Sequence, residues 1–319
     1  MSARRRLLAL LLPCLLPCLL AVGCAGGEPA PKPEPARDRV RAAVTGTEPL
    51  ARIRGPLVVA VGDIACPPGK SVTADGCRHR GTARLARSLK PRLVLLLGDT
   101  QYDDGKFAEY RKSFDSSWGA MRGLRPVPGN HEYHTHHARG YYLYFRDQSP
   151  SHPGWYSFRV GSWRIFALNS NCGEVSCHKQ SRWLNWAMKR FDRRCSAIMM
   201  HHPRYSSGDV HGSTTEVKAL WEVALRHRTD VALAGHDHVY ERFRRMNAAG
   251  QPAKHGILSF VAGAGGRSLY GFDRPEKGSL VRDNRAAGVL ALRLGQRGFA
   301  WKYRTIDGRT VDTGMRRCV

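Results

Sequence analysis

The stretch VALAGHDHVYER, residues 231–242, joins an apolar run to two histidines at alternate positions. The run has the length of a strand and ends at Gly235, after which His236 and His238 follow. A buried strand that runs into a loop presents polar side chains at its carboxyl end, where they can meet without being covered. Two imidazoles placed in this way can bind a metal ion. The GHxH pattern alone is weak evidence for a metal site, because two histidines this close in sequence are more often a polar pair with hydrogen-bond partners in the protein.

Four other apolar runs of the chain end in the same way. They are followed, in chain order, by Asp63; by Asp99, with Tyr102 three residues later; by Asn130 and His131; and by His201 and His202. These side chains offer oxygen or imidazole ligands to metal ions. Five such endings in one chain argue against coincidence, and together they predict a metal centre at the carboxyl ends of the strands.

As an ordered set, the motifs GD, GDxxY, GNHE, MHHP and GHxH resemble those of the metallophosphoesterase superfamily. The tyrosine of GDxxY makes the chain similar to the purple acid phosphatases in particular. The resemblance runs from Asp63 to His238. It implies an α/β (α+β) fold, a four-layer metallophosphoesterase sandwich in which two mixed β-sheets pack face to face with helices outside.

The periodicity of the apolar residues agrees with this fold. Strand-length runs alternate with helix-period stretches at 79–90, 180–191 and 213–227, which is typical of an α/β protein. Ser213 or Thr214 is expected to cap the third helix, with Glu216 at capping-box distance from Ser213. The C-terminal third instead predicts hairpins, from strand-like segments at 257–262, 287–294, 299–305 and 310–313.

The resemblance also implies a dinuclear cofactor, Fe(III) plus a divalent ion that is Zn, Fe or Mn. Asp99 is then the bridging ligand. The first metal site is completed by Asp63, Tyr102 and His238, and the second by Asn130, His201 and His236. A phenol, with an ordinary pKa near 10, becomes a phenolate ligand beside a strongly charged cation. Relatives outside the purple type place a histidine where this chain has Ala65, so Tyr102 is expected to replace that ligand.

Two histidines are candidates for catalysis without binding metal. The resemblance suggests that His131 and His211 contact the phosphoryl group or protonate the leaving alkoxide, work for which imidazole is suited. His202 lies where relatives vary and is interpreted as a contact at the rim of the site. Glu132 is a further candidate for the mouth of the site.

Residues 1–24 carry a basic start, a short apolar core and small residues at the end, which indicates a signal peptide. The context of Cys24 resembles a bacterial lipobox, in which the cysteine is lipidated, and cleavage near Ala25 without a lipid is the alternative. Residues 25–56 are rich in proline and glycine and predict a disordered tether. Residues 57–319 are expected to form the catalytic domain.

Cysteine usage also favours export. The leader holds three of the nine cysteines, and the other six are Cys66, Cys77, Cys172, Cys177, Cys195 and Cys318. An even count in an exported chain predicts disulfides, for which six cysteines allow many connectivities. Local spacing favours pairing within the first two and within the next two, which leaves Cys195 with Cys318. A zinc site is the rival interpretation, but the spacings match no zinc pattern.

These features predict an exported phosphatase, acid phosphatase-like, that hydrolyses phosphorylated small molecules with a water activated by the two metals. It would be extracytoplasmic, anchored to the membrane if Cys24 is lipidated and otherwise secreted. The net charge of +25 favours anionic polymers or the cell-wall surface as further partners. No motif for sequence-specific nucleic acid recognition is present. The alternatives are a phosphodiesterase acting on cyclic nucleotides or nucleic acid, and a non-catalytic basic lipoprotein that binds anionic polymers.

Overall fold

A computed structural model describes residues 49–150, 152–190 and 195–319. Within these residues the strands are β1 (Leu57–Val61), β2 (Leu93–Leu97), β3 (Leu124–Val127), β4 (Tyr156–Val160), β5 (Trp163–Ala167), β6 (Cys195–Met199), β7 (Val231–Ala234), β8 (Tyr240–Met246), β9 (Ile257–Ala262), β10 (Ser279–Asp283), β11 (Gly288–Leu294), β12 (Gly298–Thr305) and β13 (Thr310–Arg317). The α-helices are α1 (Pro49–Arg52), α2 (His79–Ser88), α3 (Phe107–Glu109), α4 (Arg139–Tyr144), α5 (Cys177–Arg190) and α6 (Lys218–Arg226). A π-helix, Tyr110–Gly119, continues α3, and two short 3-10 helices, His131–His134 and His136–Ala138, precede α4.

The strands form two mixed sheets. The first has the order β13-β12-β11-β1-β2-β3, in which β1, β2 and β3 are parallel and β11 to β13 are antiparallel. The second has the order β10-β8-β9-β7-β6-β5-β4, in which β5, β6, β7 and β9 are parallel and the outer strands are antiparallel. The carboxyl ends of the parallel strands therefore lie at one edge of each sheet.

Alternating side chains assign the two faces of each strand to different layers. In β1, Val58 and Ala60 pack into a core with Trp163 and Leu233 of the second sheet, so the two sheets face each other. The alternate residues of β1 pack outward against α2 and the π-helix. The outer face of the second sheet packs on α5 and α6, with Trp221 of α6 among the buried residues. The order of layers is helix, sheet, sheet, helix, which confirms the expected fold.

The predicted helix at 213–227 begins later than the sequence indicates, at Lys218. The Ser213 hydroxyl does not cap it. That hydroxyl accepts a hydrogen bond from the Ser206 amide at 3.1 Å and lies 3.0 Å from Glu276 Oε1. The capping-box prediction is therefore wrong, because Ser213 holds the loop before the helix instead of the helix itself.

The C-terminal hairpins are confirmed, since β11, β12 and β13 pair antiparallel in succession. The last strand extends to Arg317, beyond the predicted end at 313. Strands β8 and β10 and the π-helix were not anticipated. Each carries charged residues within its span, which hid the apolar pattern on which the sequence prediction depended.

Three disulfides join Cys66 to Cys77, Cys172 to Cys177 and Cys195 to Cys318. They use all six cysteines beyond the predicted leader, so the pairing favoured by spacing is confirmed and the zinc interpretation is excluded. The last bridge fixes the end of the chain, where the Val319 amide also donates to Asp230 at 2.8 Å.

The predicted signal peptide, lipobox and most of the predicted tether lie outside the described residues. The end of the tether is described: Pro49–Arg52 form one helical turn, and the Pro56 carbonyl accepts a hydrogen bond from Leu294. Among the described residues, none of the helices has both the length and the apolar character needed to span a bilayer.

Candidate metal centre

The seven predicted metal ligands come together at the carboxyl ends of strands from both sheets. Asp63 follows β1, Asp99 follows β2 and Asn130 follows β3, whereas the histidines follow β6 and β7. Asp63, Asp99 and His236 have positive φ angles of 60°, 44° and 73°. This region is uncommon for residues other than glycine, although Asp and His tolerate it better than most. The backbone turns sharply after each strand and directs these side chains toward one another.

The first ligand group surrounds the Tyr102 hydroxyl. The oxygen lies 3.0 Å from Asp63 Oδ1, 3.0 Å from Asp99 Oδ2 and 2.9 Å from His238 Nε2. One hydroxyl proton cannot satisfy two carboxylates at once. The group therefore holds more lone pairs than protons, and a cation at its centre would complete it. Burial and the charges of Asp63 and Asp99 raise the pKa of Tyr102 well above its ordinary value, so the phenol needs such a cation to ionise.

The second group surrounds His201 Nε2. Its neighbours are Asn130 Oδ1 at 3.0 Å, His236 Nδ1 at 3.1 Å and Asp99 Oδ2 at 3.4 Å. His201 Nδ1 lies 2.8 Å from the Leu97 carbonyl, which accepts only from a protonated nitrogen and so fixes the proton there. In the neutral ring, the lone pair of Nε2 then faces the other predicted ligands. Because Asp99 Oδ2 touches both groups, Asp99 occupies the position expected of a bridging ligand.

Charge at this point is not balanced by lysine or arginine. Asp63 and Asp99 are buried, and within the described part of the chain their ion-pair partners are histidines alone. Burial favours the neutral form of His201, but the charge of Asp99 and its hydrogen bond to His201 together oppose this effect and raise the pKa of His201 to about 10. Burial and the nearby His201 lower the pKa of His236. Two buried carboxylates beside imidazoles and an amide oxygen fit divalent or trivalent metal ions.

His131 lies beside the first group. Its Nδ1 donates to the Asp103 carbonyl at 2.6 Å, which leaves Nε2 free, 3.9 Å from Asp99 Oδ2. Its ring centroid is 4.3 Å from that of Tyr102. The backbone amide of His131 also donates to Asp99 Oδ1 at 2.9 Å. The imidazole is therefore fixed next to the ligands without being one of them.

His211 reaches the second group from a loop, and Asp237 holds that loop. The His211 ring stacks on His236 with centroids 4.0 Å apart. The buried Asp237 carboxylate accepts from the amides of His211 and Gly212, at 3.2 and 3.1 Å, and from Ser206 Oγ at 2.5 Å. The sequence alone indicates no role for Asp237, although its position between the two histidines of GHDH is a signal.

Comparison with known proteins decides the family. The family model for calcineurin-like phosphoesterases matches residues 57–240, a span that holds every predicted ligand. The chain belongs to this family. Curated relatives include a phosphoenolpyruvate phosphatase of Allium cepa, 26% identical over 261 residues, or 70% of this chain and 54% of the relative. Purple acid phosphatase 21 of Arabidopsis thaliana is 29% identical over 229 residues, or 63% and 51%. This calcineurin-like phosphoesterase thus spans about half the length of these relatives.

Solved structures agree on the fold. A purple acid phosphatase from yellow lupin has a TM-score of 0.72 at 17% identity, covering 83% of this chain and 54% of that one. GAP50, described as the anchor in the inner membrane complex of Plasmodium, has a TM-score of 0.62 at 14% identity, covering 83% and 89%. Because an enzyme and an anchor share this fold, the choice between catalysis and binding depends on the site.

The sequence suggests that Glu132 lines the mouth of the site in this calcineurin-like phosphoesterase, but the structure places it elsewhere. It is fully buried, and its carboxylate accepts from the amides of Asp99, Thr100 and Gly129 at 2.9, 2.8 and 2.6 Å, and from the Tyr110 hydroxyl at 3.0 Å. Burial and the charge of Asp99 raise its pKa. Glu132 therefore joins the loops after β2 and β3 and positions the Asp99 carboxylate.

Arg267 and Tyr270 also border the site and were missed from sequence. Arg267 Cζ lies 5.0 Å from the centroid of Tyr102, and its Nη2 lies 3.1 Å from Asp103 Oδ1. Tyr270 stacks on His238 with centroids 3.9 Å apart. Both residues lie in the loop after β9. This loop carries no recognisable motif, so the sequence does not mark either residue as part of the site.

Proposed function

We propose that this phosphoesterase is an acid phosphatase-like enzyme that hydrolyses phosphomonoesters at a dinuclear Fe(III)–M(II) centre, where M is Zn, Fe or Mn. The observation that carries the proposal is the Tyr102 hydroxyl set between Asp63, Asp99 and His238. A phenol among carboxylates offers hard oxygen ligands, which suit a highly charged iron. Support also comes from the curated relatives named purple acid phosphatases.

The residues would divide the work as follows. Asp63, Tyr102 and His238 would hold the first metal. Asn130, His201 and His236 would hold the second, and Asp99 would serve both. Two metals held in this way would neutralise phosphate charge and lower the pKa of a bound water toward neutrality. Glu132 keeps the shared carboxylate in place through the backbone around it.

His131 and His211 would act on the substrate. The bond from His131 Nδ1 to the Asp103 carbonyl leaves Nε2 free beside Asp99. When the ring is protonated, Nε2–H can donate to a phosphoryl oxygen or protonate the leaving group. His211 is held against His236 by its stacked ring and by the bond from its amide to Asp237. Since His131 lies beside Tyr102 and His211 beside His236, the two imidazoles would flank a phosphate bound at the metals.

The proposal is tested by supplying metal-replete protein with an aryl phosphomonoester and with a bis-aryl diester. We expect kcat/KM to be about tenfold or more higher for the monoester, and a chelator to abolish turnover. Preference for the diester would support the phosphodiesterase alternative. Hydrolysis of neither ester, with both metals bound, would support the non-catalytic surface protein, which otherwise depends on the net charge of +25.

Export is a further part of the proposal, supported by three disulfides, which persist in oxidising compartments. We propose that Cys24 carries a lipid anchor. Changing Cys24 to serine should then move the protein from the membrane fraction to the soluble fraction, because a thioether-linked lipid needs the cysteine sulfur. Unmutated protein that is already soluble outside the cell, with an unmodified N-terminus after the leader, would contradict the anchor.

A further inference from the structure

His202 follows the predicted ligand His201 directly, and its half-buried ring packs against two predicted ligands. Its ring centroid is 4.4 Å from that of His236 and 4.9 Å from that of His201. One of its ring nitrogens lies within 4.8 Å of ring nitrogens of both. By distance alone, the three imidazoles resemble a metal-binding triad.

The hydrogen bonds of Ser170 argue against that triad. Ser170 Oγ accepts from the backbone amides of His201 and His202, at 3.2 and 2.9 Å. A serine hydroxyl has two lone pairs and one proton, so both lone pairs are in use. Its third contact, 2.8 Å from His202 Nδ1, must then be made by the proton. Ser170 donates to Nδ1, and the ring proton of neutral His202 is on Nε2.

This proton placement decides what His202 can do. Its Nδ1 lone pair is taken by Ser170, and a protonated Nε2 has no lone pair for a metal. Within the described part of the chain, Nε2 has no hydrogen-bond partner and is not among the buried polar atoms left without one, so it is not fully buried. The His202 ring lies beside His236 of the second group, and no atom of the described residues accepts from Nε2–H.

We propose that His202 binds a phosphoryl oxygen of the substrate through Nε2–H, as a neutral donor fixed by Ser170. The inference rests on the proposed function only in taking a phosphoryl group as the ligand. Phosphoryl oxygens are strong hydrogen-bond acceptors. A hydrogen bond from a neutral donor to an anion is stronger than one between two neutral groups. His202 and His211 both contact His236, so they would hold the phosphate on the side opposite Tyr102.

The test compares three substitutions of His202, using inorganic phosphate as the probe and calorimetry as the readout. Glutamine can place an amide N–H near the position of Nε2, whereas asparagine reaches only the position of Nδ1. We expect alanine and asparagine to weaken phosphate binding by about 3- to 10-fold, glutamine to restore most of it, and all three to keep both metals. His255 is exposed and distant in sequence from the motifs, and its change to alanine is the matched control.

Two further results bear on the inference. Ser170→Ala should weaken phosphate binding by a smaller factor, because His202 loses the group that fixes its proton on Nε2. Loss of a metal ion in His202→Ala would show that His202 is a metal ligand and would overturn the inference. Wild-type phosphate affinity in the alanine, asparagine and glutamine variants would exclude the contact between His202 and phosphate. Phosphate binding is measured without turnover, so protein that binds phosphate through His202 but hydrolyses no monoester would overturn the proposed function alone.

Discussion

Replacing Tyr102 with phenylalanine should bleach the iron-loaded protein while leaving its fold intact. A phenolate bound to Fe(III) absorbs visible light by ligand-to-metal charge transfer, and Phe lacks the oxygen that lies among Asp63, Asp99 and His238. Iron retention should also fall by about tenfold or more, since even substitutions around metal ligands cost about 10- to 100-fold in affinity. The measurements are the visible spectrum and the iron content after dialysis.

The control is Tyr303→Phe. The Tyr303 hydroxyl is buried without a partner among the described residues, so its removal deletes the same atom from a tyrosine outside the site. The iron-loaded Tyr303→Phe protein should therefore keep its visible colour. If colour persists in Tyr102→Phe, another phenol is the ligand, and Tyr270, which stacks on His238, is the next to change. An active, iron-free, colourless enzyme would keep the phosphoesterase function and overturn the iron centre.

Changing Asp99 to asparagine should remove both metals and nearly all activity. Oδ2 of Asp99 is the atom shared by the two groups, 3.0 Å from the Tyr102 hydroxyl and 3.4 Å from His201 Nε2. Asparagine keeps the size of the side chain and tolerates the positive φ of 44° at this position. The loss therefore reports the missing charge. We expect metal affinity to fall by about a hundredfold or more at both positions.

Metal analysis beside kinetics separates the outcomes for Asp99→Asn. Asp209→Asn is the matched control, because Asp209 is exposed in the loop that carries His211 and has no ion-pair partner among the described residues. It should keep both metals. Full metal content in Asp99→Asn would refute the bridging assignment, and loss of one metal alone would place Asp99 in a single site.

The convergence of the predicted ligands could be inferred from the sequence because these residues follow strand ends. Apolar runs predicted β1, β2, β3, β6 and β7, and parallel strands bring their carboxyl ends to a common edge. The ordered motifs added the family, and with it the face-to-face packing of the two sheets. The disulfides could be predicted in part because two of them close short loops.

The residues that hold the ligands in place could not be predicted. Glu132 acts on three backbone amides around Asp99, and those amides converge only because the loops after β2 and β3 fold back on each other. Asp237 and Ser170 likewise act on backbone amides, of His211 and of His202, across 26 and 32 residues of sequence. Backbone geometry of this kind leaves no periodic trace in the side chains, so a pattern search does not find it.

Anomalous diffraction at the iron edge, from crystals of the metal-loaded protein, tests the central claim most directly. The account predicts two metal ions about 3.5–4 Å apart, both bound by Asp99. Iron should lie against Tyr102, Asp63 and His238, and the divalent ion against Asn130, His201 and His236. A single metal, or an iron position without the Tyr102 oxygen as a ligand, would contradict the account.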